Sequence, residues 1–257
     1  MRMRGDKSGI RDPGSGIRGS RFAVRGSWFE SRVPNPESRN VLPHSFYARP
    51  TLKVAEALLG KVLVHRTRQG TASGVIVEAE AYIGEDDPAC HASFGRTGRS
   101  EPLFGPPGFA YVYLNYGIHY LMNAVTEANG YPGAVLIRAL QPLDGIELMK
   151  KRRAPNGRGI DEHDLCRGPG NLTKALGITI KDNRLDLATS KLTIEDRGIA
   201  VGEIATGPRI GIRVAVERPW RYWVEGHRSV SVHRSSTTKA TKTSSTTKTT
   251  KITKITK

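Results

Sequence analysis

From residue 50 onward the apolar positions fall into segments of distinct period. Leu52-Lys-Val-Ala-Glu-Ala-Leu-Leu59 has helical spacing, with Thr51 placed to cap it, Gly60 to end it, and Glu56 too far along to complete a capping box. Lys61–Arg66 reads as a strand, Gln69-Gly70 as a hairpin turn, and residues 73–82 as the returning strand. Residues 84–108 lose all period, and so long a structureless stretch in a compact domain is usually functional. Strand patterns return at 109–116, 119–127 and 134–139, the last two separated by a turn at Gly130–Gly133. Leu143–Arg152 predicts a helix, and Asn171–Leu176 a short one that Asn171 caps. Residues 190–195, 210–216 and 221–224 complete the strands. There is no internal repeat, and hairpins mixed with helices predict an α+β domain in preference to a doubly wound sheet.

Both ends lack any such pattern. Residues 1–40 hold nine basic and four acidic side chains among repeated Gly, Ser, Pro and Arg; residues 235–257 are nearly all Ser, Thr and Lys, with six lysines and no acid. Neither stretch buries enough apolar surface to offset its ordering entropy, so two disordered extensions are expected around a folded unit at 41–234. They also carry most of the net charge of +16, because 25 basic and 20 acidic residues remain between them. So basic a chain is drawn to nucleic acid or to anionic membrane. No apolar run is long enough to span a bilayer and the N-terminus has no signal-peptide core, which favours nucleic acid and a cytoplasmic protein; organelle targeting stays open. Cys90 and Cys166 make neither a disulfide framework nor a zinc signature.

Within the folded unit, Val75-Ile-Val-Glu-Ala-Glu-Ala-Tyr82 concentrates the chemistry. Glu78, Glu80 and Tyr82 share one face of a strand. A solvated face is the ordinary explanation; a buried carboxylate pair would instead raise one pKa and create a general base, the other glutamate pairing with an arginine. Spacing alone leaves both glutamates as candidates. Tyr111, Tyr113 and Asn115 share a second strand face, suited to cross-strand packing or to replacing the stacking that a flipped base loses. Tyr116-Gly117 sets an aromatic before a glycine, where it can stand proud on a turn and wedge into a duplex. His91 suits a hydrogen bond to a ligand; Arg96, Arg99 and the run Lys150–Arg153 are candidate phosphate contacts, and Gly168-Pro169-Gly170 is a weak one.

Together Glu78-Ala-Glu-Ala-Tyr82, Ala89-Cys-His91, Phe104-Gly-Pro-Pro-Gly108, Tyr111-Val-Tyr113 with Tyr116-Gly117 and Asn123, Leu136-Ile-Arg-Ala-Leu140 and Leu165-Cys-Arg-Gly-Pro169 closely resemble the alkyladenine (3-methyladenine) DNA glycosylase family. The resemblance spans roughly residues 48–231 and rests on several anchors in one order. It implies a single α+β domain around a curved, mainly antiparallel sheet with surrounding helices. It also implies monofunctional excision of alkylated or deaminated purines from double-stranded DNA: 3-methyladenine, 7-methylguanine, and in some members hypoxanthine and ethenoadenine. Matched residue by residue, Glu80 resembles the base that activates water and Arg138 its partner. Tyr82 and Tyr113 resemble the rings on either face of the base, His91 a hydrogen-bonding group, Asn123 a polar wall and Tyr116 the intercalating wedge. Arg96 and Arg99 remain candidates for the DNA backbone. The family implies a monomer without metal or organic cofactor. Glu101 departs from the pattern in a loop expected near phosphate, and the Ser/Thr/Lys tail belongs to no part of it. The competing readings are a noncatalytic nucleic-acid binding module and a carboxylate hydrolase of another glycosidic substrate.

Overall fold

The strand that carries both glutamates lies at the centre of the sheet. A computed structural model describes residues 40–154, 156 and 159–231; both predicted extensions fall outside these residues almost entirely. Its strands are β1 (Val62–Thr67), β2 (Gly70–Ile83), β3 (Ala110–Asn115), β4 (His119–Val125), β5 (Gly133–Pro142), β6 (Leu192–Glu195), β7 (Ile204–Gly207) and β8 (Arg221–Val224). They form one curved sheet in the order β3-β4-β5-β2-β1-β6, with β8 pairing β2 and β7, and these pairings are antiparallel. The helices α1 (His44–Tyr47), α2 (Thr51–Ala57), α3 (Ile146–Arg153) and α4 (Pro169–Leu176) surround it. Val54, Leu58, Met149, Leu172 and Leu176 close over Leu63, Ile76, Met122, Ile137 and Leu140 in the main core. Residues 72–81 and 133–140 are buried throughout, which is why their apolar runs scarcely alternate.

Two irregularities meet at the glutamates. Along one edge, β2 pairs first with β1, from Gly70 to Val75, and then with β8, from Glu78 to Glu80, so the sheet forks there. On the other edge the register with β5 runs Ile76↔Leu140, Glu78↔Ala139, Ala79↔Ile137, leaving Val77 and Arg138 without cross-strand partners. Such bulges re-aim side chains, and here one of them turns Arg138 onto both carboxylates. Gly74 allows the two strands to approach: a Cβ there would lie 2.8 Å from the Gln141 carbonyl oxygen and 2.9 Å from Leu140 Cβ.

The predicted α+β architecture stands, with local corrections. Thr51 is the first residue of α2, not its cap. Its amide and hydroxyl donate to Glu127 Oε1 at 2.6 and 2.7 Å, so a carboxylate 76 residues away satisfies the helix N-terminus. Asn171 lies inside α4 and donates to the Arg167 carbonyl. Residues 210–216 form bends and turns instead of a strand, while β7 and α1 had no recognisable pattern. The 84–108 stretch is a loop holding two short 3-10 turns, His91–Phe94 and Glu101–Phe104.

Candidate active site

The solvated-face explanation for the glutamates fails, because Glu78 and Glu80 are both fully buried. Arg138 binds them together, with Nε 2.9 Å from Glu78 Oε1 and Nη1 3.3 Å from Glu80 Oε2. Beyond that bridge the two carboxylates have different surroundings. Glu78 also accepts from Arg221 Nε at 2.7 Å and from the amide and hydroxyl of Ser231, each at 2.7 Å. Glu80 accepts from the Ile210 amide at 2.7 Å and from the Tyr82 hydroxyl at 2.8 Å. Burial pushes the Glu80 carboxyl above the usual range, against the opposing pull of Arg138, the Ile210 amide and the Tyr82 hydroxyl. Glu78 is therefore the more heavily hydrogen-bonded of the two carboxylates, and Glu80 the one whose charged form burial disfavours.

Glu80 sits one side chain behind the wall of a cavity of about 390 Å³. Tyr82, His91, Tyr113, Asn123 and Arg138 all line that cavity, together with Tyr111 and Tyr116. The parity of β3 thus places Tyr111 and Tyr113 on the cavity side, with their ring centroids 5.2 Å apart. His91 packs edge-on to Tyr113 at 4.6 Å and shares a 2.7 Å hydrogen bond between its Nδ1 and the Tyr111 hydroxyl. Burial, reinforced by the Arg99 guanidinium, pushes the imidazole pKa down to about 4, so His91 is neutral at physiological pH. Asn123 donates to the Tyr111 carbonyl at 3.0 Å, which fixes its amide in the wall.

Tyr116 stands at the mouth. Tyr116 and Gly117 have φ of 48° and 72°, and Ile118 donates to the Asn115 carbonyl at 3.1 Å, closing a β-turn within the three-residue loop between β3 and β4. Glycine suits that conformation and tyrosine does not; such strain persists where the surroundings enforce it and clusters at functional sites. The ring is 86% exposed, which packing cannot account for.

The candidate phosphate contacts fare unevenly. Arg99 lies over the Tyr113 ring at 4.8 Å. Arg96 is paired with Glu101 at 3.0 Å, the acid that departs from the expected pattern. The Lys150–Arg153 run is largely engaged within the fold: Lys150 pairs with Glu147, Arg152 donates to Thr67, Gln69 and the Ala175 carbonyl, and Arg153 donates to the carbonyls of Asp164 and Leu165. Among the described residues no three His, Cys, Asp or Glu side chains gather in a metal-binding cluster, and Cys90 and Cys166 belong to separate cores. No described helix is long and apolar enough to cross a membrane.

Comparison with known proteins identifies the family. Residues 45–228 match the methylpurine-DNA glycosylase family. The chain belongs to this family. A protein of Methanocella arvoryzae provisionally named a 3-methyladenine DNA glycosylase is 50% identical over 195 residues, which is 74% of this chain and 96% of that one. Proteins with the same provisional name from Rhodopseudomonas palustris (strain HaA2) and Prosthecochloris aestuarii are 49% and 46% identical over 188 residues, each covered to 88% of its length. In this chain several partners of the candidate residues had no sequence signal: Arg221 and Ser231 on Glu78, and the Ile210 amide on Glu80. Backbone donors carry no side-chain signature. Arg221 was legible only as part of a short strand.

Proposed function

We propose that the protein is a monofunctional DNA glycosylase that flips alkylated purines, 3-methyladenine and 7-methylguanine foremost, and hydrolyses the N-glycosidic bond with a water activated by Glu80. The observation that carries this reading is the placement of a buried carboxylate of raised pKa directly behind an aromatic-walled cavity. Its volume lies at the small end of the roughly 300–1,000 Å³ typical of ligand pockets. No lysine is among the described residues lining it, which argues for water as nucleophile over an amine.

In this mechanism Tyr116 fills the space the purine leaves in the duplex. Tyr82 and Tyr113 flank the flipped base, and aromatic faces favour a cationic ring. Glu80 Oε2 is taken up by the Tyr82 hydroxyl and Arg138, while Oε1, which accepts from the Ile210 amide, has lone-pair capacity left for water. Water attacks C1′ and transfers a proton to Glu80; the C1′–N bond breaks, and its electron pair leaves with the purine. A cationic alkylpurine departs as a neutral base and needs no added proton. Hypoxanthine and ethenoadenine need one, and a neutral His91 does not supply it, so these are the slower substrates.

Single-turnover base release from duplexes containing 7-methylguanine, 3-methyladenine or hypoxanthine tests the proposal, with Glu80→Gln alongside. Wild type is expected to release base, and E80Q to bind damaged duplex while losing nearly all excision. Normal release by E80Q overturns the assignment of the base. No release by wild type from any lesion overturns the whole reading in favour of a noncatalytic binding module.

A further inference from the structure

Behind Tyr82, away from the cavity lining, lies a sealed ion pair. Arg209 and Asp87 both have fully buried side chains. Arg209 Nη1 and Nη2 donate to the two Asp87 carboxylate oxygens at 2.5 and 2.8 Å, and Nη1 also donates to the Ala81 carbonyl at 3.0 Å. The guanidinium sits 4.6 Å from the centroid of the Tyr82 ring and 5.1 Å from that of Trp220. Asp87 in turn accepts from the Ala89 amide at 3.2 Å, at the start of the turn that leads to Cys90 and His91. The residue after Arg209 is Ile210, whose amide reaches Glu80. One ion pair therefore joins the end of β2, the loop to His91 and the segment lying over Glu80.

Burying such a pair is not needed for stability: well-packed apolar residues of similar volume commonly do as well or better. A planar two-point clamp does give fixed geometry, which a lysine point charge does not reproduce. Catalytic groups displaced by about an ångström lose much of their rate.

We propose that Asp87 and Arg209 form a positioning pair that holds the Tyr82 ring and the Ile210 amide in register with Glu80, setting the excision rate without touching the substrate. The inference rests on the function proposed above. Disturbing the pair loosens the Ile210 amide, and a carboxylate that loses a donor to its charged form titrates at higher pH. The acid limb of the pH–rate profile then moves upward. The other groups facing Glu80 are Arg138 from β5, Tyr113 from β3, Arg221 opposite it on β8, Glu78 and Tyr82 on its own strand, and the charge of Arg209 itself. Arg209→Lys leaves all of these charges in place, so its acid limb reports positioning alone, and the double variant, which removes the Arg209 charge, is judged against it.

The test compares wild type with Arg209→Lys and the double variant D87N/R209Q, using single-turnover 7-methylguanine release across pH, duplex affinity and thermal melting. The expected result is a rate reduced tenfold or more, affinity within threefold of wild type, and an acid limb shifted to higher pH. A folded variant whose limb does not move, whether or not its rate falls, overturns the proposal, because a merely structural role leaves that limb in place. If both variants melt below the assay temperature, Trp220→Leu, which keeps the ion pair and removes one supporting ring, is judged by the same readouts. If wild type releases no base, the function reading fails separately, and carbon-13 NMR titration of Glu80 in wild type and R209K decides the positioning role.

Discussion

Glu78→Gln and Glu80→Gln are chemically identical changes two residues apart, and the structure gives them opposite consequences. Glu78 is fully buried and receives four donors: Arg138 Nε, Arg221 Nε, and the amide and hydroxyl of Ser231. Hydrogen bonds to charged groups are each worth about 1.5–3 kcal/mol, and breaking a buried pair costs about 3–5 kcal/mol. Glutamine keeps one acceptor oxygen but leaves Arg221 without its carboxylate, so about 3 kcal/mol is expected. At about 2–4 °C per kcal/mol for a domain of this size, Tm falls by roughly 6–12 °C. Glu80 is the reverse case. Its folded-state pKa is raised, so the ionised form is disfavoured by folding, and a neutral glutamine removes that penalty at neutral pH. E80Q is expected to melt within about 4 °C of wild type or above it. Calorimetry with single-turnover excision, well below either Tm, separates the two: E78Q unstable but within tenfold in rate, E80Q stable but inactive. A stable, inactive E78Q beside an unstable, active E80Q would refute the division of roles.

Three further outcomes are expected. Tyr116→Ala leaves Tm unchanged, because the ring is 86% exposed, and weakens the flipped complex by about 1–3 kcal/mol, read from 2-aminopurine fluorescence next to the lesion. The acid limb of excision tracks Glu80, above the ordinary glutamate range; His91 titrates near pH 4 by NMR, and His91→Asn leaves the position of that limb alone. Asp182 has its carboxyl held low: His65, Lys191 at 2.5 Å and the Thr179 amide overcome the opposing effect of burial. Its contribution to stability is therefore complete above the unfolded aspartate pKa of about 3.9 and disappears as pH falls through the folded value. The gap in unfolding free energy between wild type and Asp182→Asn should narrow steadily as pH falls below about 3.9, and a gap unchanged between about pH 5 and about pH 2 would contradict the assignment.

What could be read from the sequence follows from how local each feature is. The period-2 spacing of Glu78, Glu80 and Tyr82, the parity of Tyr111 and Tyr113, and the aromatic before Gly117 are short-range patterns; Tyr82, Tyr111 and Tyr113 line the cavity and Tyr116 is exposed on a turn, whereas both glutamates lie buried outside its lining. Which glutamate was paired depended on Arg138, Arg221 and Ser231, between 60 and 153 residues away. The 210–216 segment misled for a physical reason. Ile210, Ile212, Val214 and Val216 alternate like a strand, but β8 already occupies the free edge of β2, and Val214 and Val216 stay about half exposed. Alternation yields a strand only where an edge is available to pair with. The α2 terminus misled similarly, since the group that satisfies it, Glu127, lies beyond β4.

The fork at Glu78 also bears on when the protein becomes active during its own synthesis. Glu80 leaves the ribosome early, whereas the amide that orients it belongs to residue 210 and the last anchor of its neighbouring glutamate to Ser231. Contacts of such long sequence separation form late in folding, after their loop-closure entropy has been met. A nascent or partly folded chain can thus have the strand with both carboxylates and still lack the arrangement that would cut a glycosidic bond. Completion of the site therefore waits for the segments that carry residues 210 and 231.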